Sequence, residues 1–129
     1  MVHQKIIDWL QNYLIESGMK GFVIGISGGI DSAVTSTLCA ETGYPVLAVS
    51  MPIHQDPTLH GRSELQINWL SNNYELVSFK NVDLSDTYDT FVKAVPSSEL
   101  GYANSKARLR MVTLYGLAAD HSYLVVGTG

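Results

Sequence analysis

Hydrophobic positions along the chain change their period several times. Residues 3 to 16 repeat at helical spacing, with Ile6, Leu10 and Leu14 on one face, Ile7, Trp9 and Tyr13 widening it, and Gly18 and Gly21 ending the segment. Short runs rich in β-branched and aromatic residues follow at Phe22 to Ile26, Val46 to Met51, Glu75 to Phe79 and Tyr123 to Val126. Helix-length stretches separate them, at Ile30 to Glu41, Gly61 to Asn72, Asp83 to Lys93 and Asn104 to His121. In the first of these Ala33, Val34 and Leu38 keep helical spacing. Val23, Ile24 and Ile26 form the kind of apolar run found where a parallel strand is covered on both faces. The alternation predicts βαβ units with right-handed crossovers, and hence an α/β fold: a Rossmann-like, doubly wound parallel sheet with helices on both faces. One domain is expected over residues 1–129. The last strand runs into Gly127-Thr128-Gly129 where a further crossover is expected, which reads as a domain truncated at its C-terminus.

Composition narrows the function classes. A hydrophobic content of 46% suits one compact core. The formal charge of -4, with only eight Lys and Arg, argues against a general nucleic-acid or acidic-membrane surface, so any anion site must be local. Cys39 is the only cysteine, which excludes an internal disulfide and reads as a small buried hydrophobe. No run approaches the length of a membrane span, and Asp8 and Gln11 interrupt the N-terminal stretch where a signal sequence would be apolar. A cytoplasmic protein is expected.

The chemistry concentrates at residues 23 to 32, Val-Ile-Gly-Ile-Ser-Gly-Gly-Ile-Asp-Ser. A buried strand turns there into a helix through Gly28 and Gly29, which permit backbone angles closed to other residues and let an anion approach the main chain. The N–H groups of Ile30, Asp31 and Ser32 are the unpaired donors of the helix start, backed by the helix dipole. A carboxylate in that turn would repel a phosphate unless a divalent cation stood between, so Asp31 is a natural magnesium ligand and the loop suggests Mg-nucleotide. The Walker ending and the third glycine of the dinucleotide fingerprint are both missing. An ordinary tight turn, with Asp31 facing the dipole, is the plainer alternative.

A second concentration is Asn104-Ser-Lys-Ala-Arg-Leu-Arg-Met111, followed by Leu114-Tyr115. On a helix Asn104 and Arg108 share one face and Lys106 and Arg110 another, making two sites rather than one patch. Met111, Tyr115 and Ala118, flanked by Leu114 and Leu117, are expected to pack the helix on its neighbours. Arg108 suits a carboxylate or phosphate, and Asn104 an amide or ribose. A solvated basic face is the bland reading of the same residues.

The Ser-Gly-Gly-Ile-Asp-Ser loop resembles that of the ATP pyrophosphatases, which cut ATP between the α and β phosphates. Asn-x-Lys-Ala-Arg-x-Arg-Met, then Leu-Tyr, then a strand ending Gly-Thr-Gly, is similar to the pattern of the NAD synthetases within that superfamily. The resemblance also takes in Met51-Pro52 after the second strand and spans nearly the whole chain. It implies an adenine nucleotide alpha hydrolase-like fold, a homodimer, and adenylation of deamido-NAD by ATP followed by displacement of AMP by ammonia. It also implies that Gly25, Ile26, Ser27, Gly28, Gly29, Ile30, Asp31 and Ser32 line the ATP phosphates, with Mg2+ on Asp31 and Thr128 touching ATP. Arg108, Asn104 and Tyr115 match positions that hold deamido-NAD. The family's second magnesium carboxylate and its ATP-binding lysine fall beyond Gly129. After Met51-Pro52 the family commonly carries a glutamine and an acidic cluster, whereas Gln55 and Asp56 are followed here by Pro57 to His60. Another ATP pyrophosphatase (GMP synthetase-like or tRNA-thiolating) and a non-catalytic nucleotide-binding fragment are the competing functions.

The remaining clusters are weaker. His54 and His60 could meet within one loop but have no third metal ligand at a recognised spacing. Asp83, Asp86 and Asp89 lack the calcium-loop glycine and terminal glutamate and read as a solvated helix start. Ser97 and Ser98 beside Pro96 read as a turn.

Overall fold

The computed structural model describes residues 2–127. Its elements follow in the order α1 (Val2–Ser17), β1 (Gly21–Gly25), α2 (Ile30–Glu41), β2 (Val46–Ser50), α3 (Pro57–Asn73), β3 (Val77–Asn81), α4 (Ser85–Ala94), α5 (Glu99–His121) and β4 (Tyr123–Val126). The four strands form one parallel sheet in the order β3-β2-β1-β4. Phe22 pairs with Val46 on one side and Leu124 on the other, so β1 is interior.

The sheet is covered on both faces, as its unbroken apolar strands require. On one face Leu10 and Leu14 of α1, Cys39 and Ala40 of α2, and Ile67 and Leu70 of α3 pack against Phe22, Ile24, Val46 and Ala48. On the other, Leu114 and Ala118 of α5, with Leu84 and Tyr88 at the start of α4, cover Val23, Leu47 and Val49. The chain therefore winds outward from β1 to β3 along one face and returns across the other to β4. Full burial of side chains such as Leu14, Phe22 and Leu70 contributes about 1.5–3 kcal/mol each before entropy is counted.

Several expectations shift in detail. In α1 the buried stripe is Ile7, Leu10 and Leu14, while Ile6, Trp9 and Tyr13 are exposed, because α1 is turned toward the sheet and α2. Trp9 and Tyr13 stack on each other on the open side. In α2 the buried positions are Ser32, Ser36, Cys39 and Ala40, and Val34 is exposed. Burial pushes the Cys39 thiol up to about 12. Gln66 of α3 ties the two helices together by donating to the Ala33 carbonyl and the Ser36 hydroxyl, both at 3.2 Å.

Capping explains the early starts of α3 and α5. The Asp56 carboxylate accepts from Thr58 N–H at 2.8 Å with Pro57 in the first turn, and the Ser98 hydroxyl accepts from Gly101 N–H at 3.2 Å. β3 lies two residues later than expected and is an edge strand whose Phe79 is exposed. Among the described residues no helix is long and apolar enough to cross a membrane.

Candidate nucleotide site at the glycine turn

Beyond β1 the parallel pairing continues for one residue, with Ile26 N–H donating to the Val49 carbonyl at 2.8 Å. The chain then turns through Ser27, Gly28 and Gly29 into α2. Gly28 has a φ of 88°, in the region that favours glycine. Two serines hold the turn. The Ser32 hydroxyl accepts from Ser27 N–H at 3.1 Å and donates to the Gly29 carbonyl at 3.2 Å, while Gly29 N–H donates to the Ser27 hydroxyl at 3.2 Å. No side chain caps α2 at Gly29. The first-turn N–H groups at Ile30, Asp31 and Ser32 have no acceptor within the helix, and the positive end of the dipole is uncapped.

The start of α3 braces this turn from the side. A Cβ on Gly28 would fall 2.5 Å from the Leu59 carbonyl oxygen and 3.4 Å from the Arg62 Cβ. Gln55 Nε2 donates to the Ser27 carbonyl at 3.2 Å. The sequence marks Gln55 only as the glutamine after Met51-Pro52 and does not single out Arg62, since their approach to the turn depends on where α3 starts.

Next to the turn, beyond the carboxyl ends of β1, β2 and β4, lies a cavity of about 420 Å³. Doubly wound sheets hold their ligands in such a crevice, where the strand order reverses. Its walls are apolar at Ile26, Met51, Leu59 and Leu114, and its polar groups come from Ser27, Gln55, Asp56, Lys106 and Arg110. A Cβ on Gly25 would come within 3.0 Å of Met51 Cε, so glycine there gives Met51 its place. Arg110 is half-buried and its Nε donates to the Met51 carbonyl at 3.0 Å. Burial holds its guanidinium below its ordinary pKa range.

The expected site residues divide between two places. Gly25, Ile26 and Ser27 line the cavity, and Gly28 and Gly29 form the adjoining turn. Ile30 and Asp31 are exposed in the first turn of α2, whereas Ser32 is buried as the turn's hydrogen-bond centre. Asn104, Arg108 and Tyr115 are exposed on α5 and do not line the cavity. Tyr115 is therefore no part of the packing stripe. The buried ridge of α5 is Leu114 and Ala118, and the same four-residue spacing run backward reaches Arg110 and Lys106. That spacing was the available signal for the two cations the cavity holds. Thr128 lies outside the described residues.

The weaker clusters resolve into local pairs. His54 Nε2 lies 2.7 Å from Asp89, and His60 Nε2 lies 2.9 Å from Glu64. Asp83 accepts from Ser85 N–H at 2.9 Å, and this bond holds its carboxyl below the usual range. Among the described residues no three His, Cys, Asp or Glu converge as a metal cage.

A doubly wound parallel sheet with an uncapped, glycine-turned helix start at its switch crevice defines an α/β protein whose crevice offers main-chain donors that can hold an anion. Residues 2–129 match the NAD synthase family, and the chain belongs to that family. It is 34% identical over 134 residues to the NH3-dependent NAD synthetase of Carboxydothermus hydrogenoformans, an alignment covering 98% of this chain and 53% of that relative. Among solved structures it resembles an NH3-dependent NAD synthetase from Campylobacter jejuni in complex with nitrate, at TM-score 0.89 and 29% identity, covering 99% of this chain and 55% of that one. It likewise resembles an NMN synthetase from Francisella tularensis, at TM-score 0.88 and 30% identity, covering 98% and 52%. The chain spans about half the length of the curated relatives it matches.

Proposed function

We propose that this chain is the ATP-binding half of an NH3-dependent NAD synthetase, a homodimeric cytoplasmic ligase that amidates deamido-NAD with ammonia and releases AMP and pyrophosphate. The observation that carries the reading is the uncapped start of α2 behind a positive-φ Gly28, opening beside the cavity at the switch crevice. The base and ribose of ATP fit against the apolar wall of the cavity at Ile26, Met51, Leu59 and Leu114, and its phosphates take the N–H groups of Ile30 to Ser32. Thr128 follows β4 and contributes to the same nucleotide.

Mg2+ fits this donor set, because the ion accepts one or two carboxylates together with phosphate oxygens and water and needs no protein cage. Asp31 would hold it. When bound, the ion neutralises charge on the phosphates and stabilises pyrophosphate as a leaving group. The chain's own residues do the rest by positioning. The serine-braced turn fixes the main-chain donors, and the brace from Leu59 and Gln55 keeps that turn from shifting as charge moves. No side-chain nucleophile is needed, since the substrate carboxylate attacks the α-phosphorus itself.

Asn104, Arg108 and Tyr115 hold the acid substrate on the outer face of α5, where Val112 is also exposed and a second subunit would close over them. A second reading takes nicotinate mononucleotide as the acid, favoured by the likeness to the NMN synthetase at nearly the same TM-score. Assay of AMP release by the full-length protein with each acid, with and without ammonia, decides between them. Ammonia-dependent release with deamido-NAD supports the first reading, release with the mononucleotide alone supports the second, and release with neither refutes both. In Asp31→Asn of the full-length protein, ATP–pyrophosphate exchange is expected to be abolished with the fold intact, and unchanged exchange would contradict the metal role.

A further inference from the structure

We propose that Lys106 and Arg110 form a second anion-gripping edge of the cavity, on the α5 side, which holds phosphate oxygens of the nucleotide together with the glycine turn. This rests on the nucleotide reading above and assigns to it the two basic residues of the Asn-x-Lys-Ala-Arg-x-Arg-Met pattern to which the resemblance gives no role. The two are four residues apart on α5, so they share a face, and Leu114 and Ala118 on that same ridge are buried against the sheet. Rotation of the helix is thereby fixed, and both cations line the cavity.

Among the described residues neither charge has a carboxylate partner. Among the described residues the ion pairs are those of His54 with Asp89 and His60 with Glu64, and neither Lys106 nor Arg110 takes part in one. Asp56, which also lines the cavity, has its carboxylate engaged on Thr58 N–H. Glu99 lines an adjoining hollow with Tyr88, Tyr102 and both cations but makes no ion pair with either. A half-buried guanidinium left without a counter-ion is costly, and an anionic ligand removes that cost.

The geometry suits phosphate. Arg110 spends its Nε donor on the Met51 carbonyl, which orients the planar fork and leaves the terminal nitrogens for an oxyanion. The ammonium of Lys106 lies 5.1 Å from the centroid of the Tyr88 ring, a cation–π contact that keeps the side chain placed before ligand arrives. With a net charge of -4 on the whole chain, two unpaired cations on one cavity form a strongly localised positive field.

The test is calorimetric titration of the purified chain with Mg-ATP and with adenosine, in wild type, Lys106→Gln, Arg110→Gln and Arg110→Lys, with melting curves to establish folding. Each Gln variant is expected to lose about tenfold or more in ATP affinity with adenosine binding unchanged, and Arg110→Lys to keep most of the ATP affinity, as charged hydrogen bonds to phosphate predict. Equal ATP affinity in wild type and both Gln variants overturns the proposal. Parallel loss of adenosine and ATP binding in Arg110→Gln also overturns it for that residue, making Arg110 a prop for Met51. Wild type binding neither ligand would refute the nucleotide reading instead. Titration with inorganic triphosphate then decides the anion edge: binding lost in the Gln variants sustains it, and no binding by wild type sinks it. If Arg110→Gln does not fold, Lys106→Gln carries the same comparison.

Discussion

Gly28 and the carbonyl of Leu59 are so close that a methyl group on the glycine would stand 2.5 Å from that oxygen. The turn that presents the α2 donors is thus fitted against the first turn of α3, with a φ of 88° that an L side chain rarely adopts. Gly29 differs. Its φ is -86°, and an added Cβ would meet only the Ser27 hydroxyl, at 3.4 Å.

Gly28→Ala is therefore expected to lower stability by about 2 kcal/mol or more, combining the cost of positive φ with displacement of backbone at Leu59. Gly29→Ala should cost less than about 1 kcal/mol, since it changes only the N-cap residue. Urea denaturation of both variants measures the contrast. Equal losses would mean that the turn is not braced by α3 as described.

The packing face of α1 makes a second contrast. Leu14 is fully buried, whereas Ile6 on the face expected from the sequence is 40% exposed. Leu14→Ala should cost about 2–5 kcal/mol, as deletions in a closed core do. Ile6→Ala should cost about 1 kcal/mol or less. The reverse order in a denaturation series would show α1 turned the other way.

Tyr74 donates its phenolic hydrogen to the Glu41 carboxylate, tying the end of α3 to the end of α2. That hydrogen bond, aided by burial and the neighbouring negative charge, pushes the phenol from its ordinary 10.0 up to about 12. The folded state holds the proton more tightly than the unfolded chain. Its contribution is fully present below the unfolded pKa and disappears as pH rises through the folded one. Near neutral pH Tyr74→Phe should lose about 0.5–1 kcal/mol, the worth of one hydrogen bond. The gap between wild type and variant should close as pH rises through that interval, and a gap that widened would contradict the assignment.

The sheet was legible because Val23 and Ile24, and Val46 through Val49, are continuous apolar runs of a kind that only doubly covered strands use. The glycine turn was legible for a related reason, since two glycines at a strand-to-helix junction have few other uses. Helix starts were less so. Asp56-Pro57 and Ser98 cap α3 and α5 several residues before their periodic apolar positions begin, and periodicity alone cannot see a cap. The cavity's cations were half legible. The sequence separated Lys106 and Arg110 from Asn104 and Arg108, but which pair meets the cavity depends on the rotation of α5. Leu114 and Ala118 set that rotation; of the stripe that the sequence suggests, Met111, Tyr115 and Ala118 flanked by Leu114 and Leu117, only Tyr115 is exposed.

The central claim is that main-chain donors from Ile30 to Ser32, presented by the turn at Gly28 and Gly29, hold the phosphates of ATP. Its most direct measurement is amide NMR of the chain titrated with Mg-ATP and, in parallel, with adenosine. The account predicts large shifts at Gly28 to Ser32 with Mg-ATP alone, and shifts at Ile26 and Met51 with both ligands. Shifts confined to α1 or α4, or amides at Gly28 to Ser32 that do not respond to Mg-ATP, would contradict it.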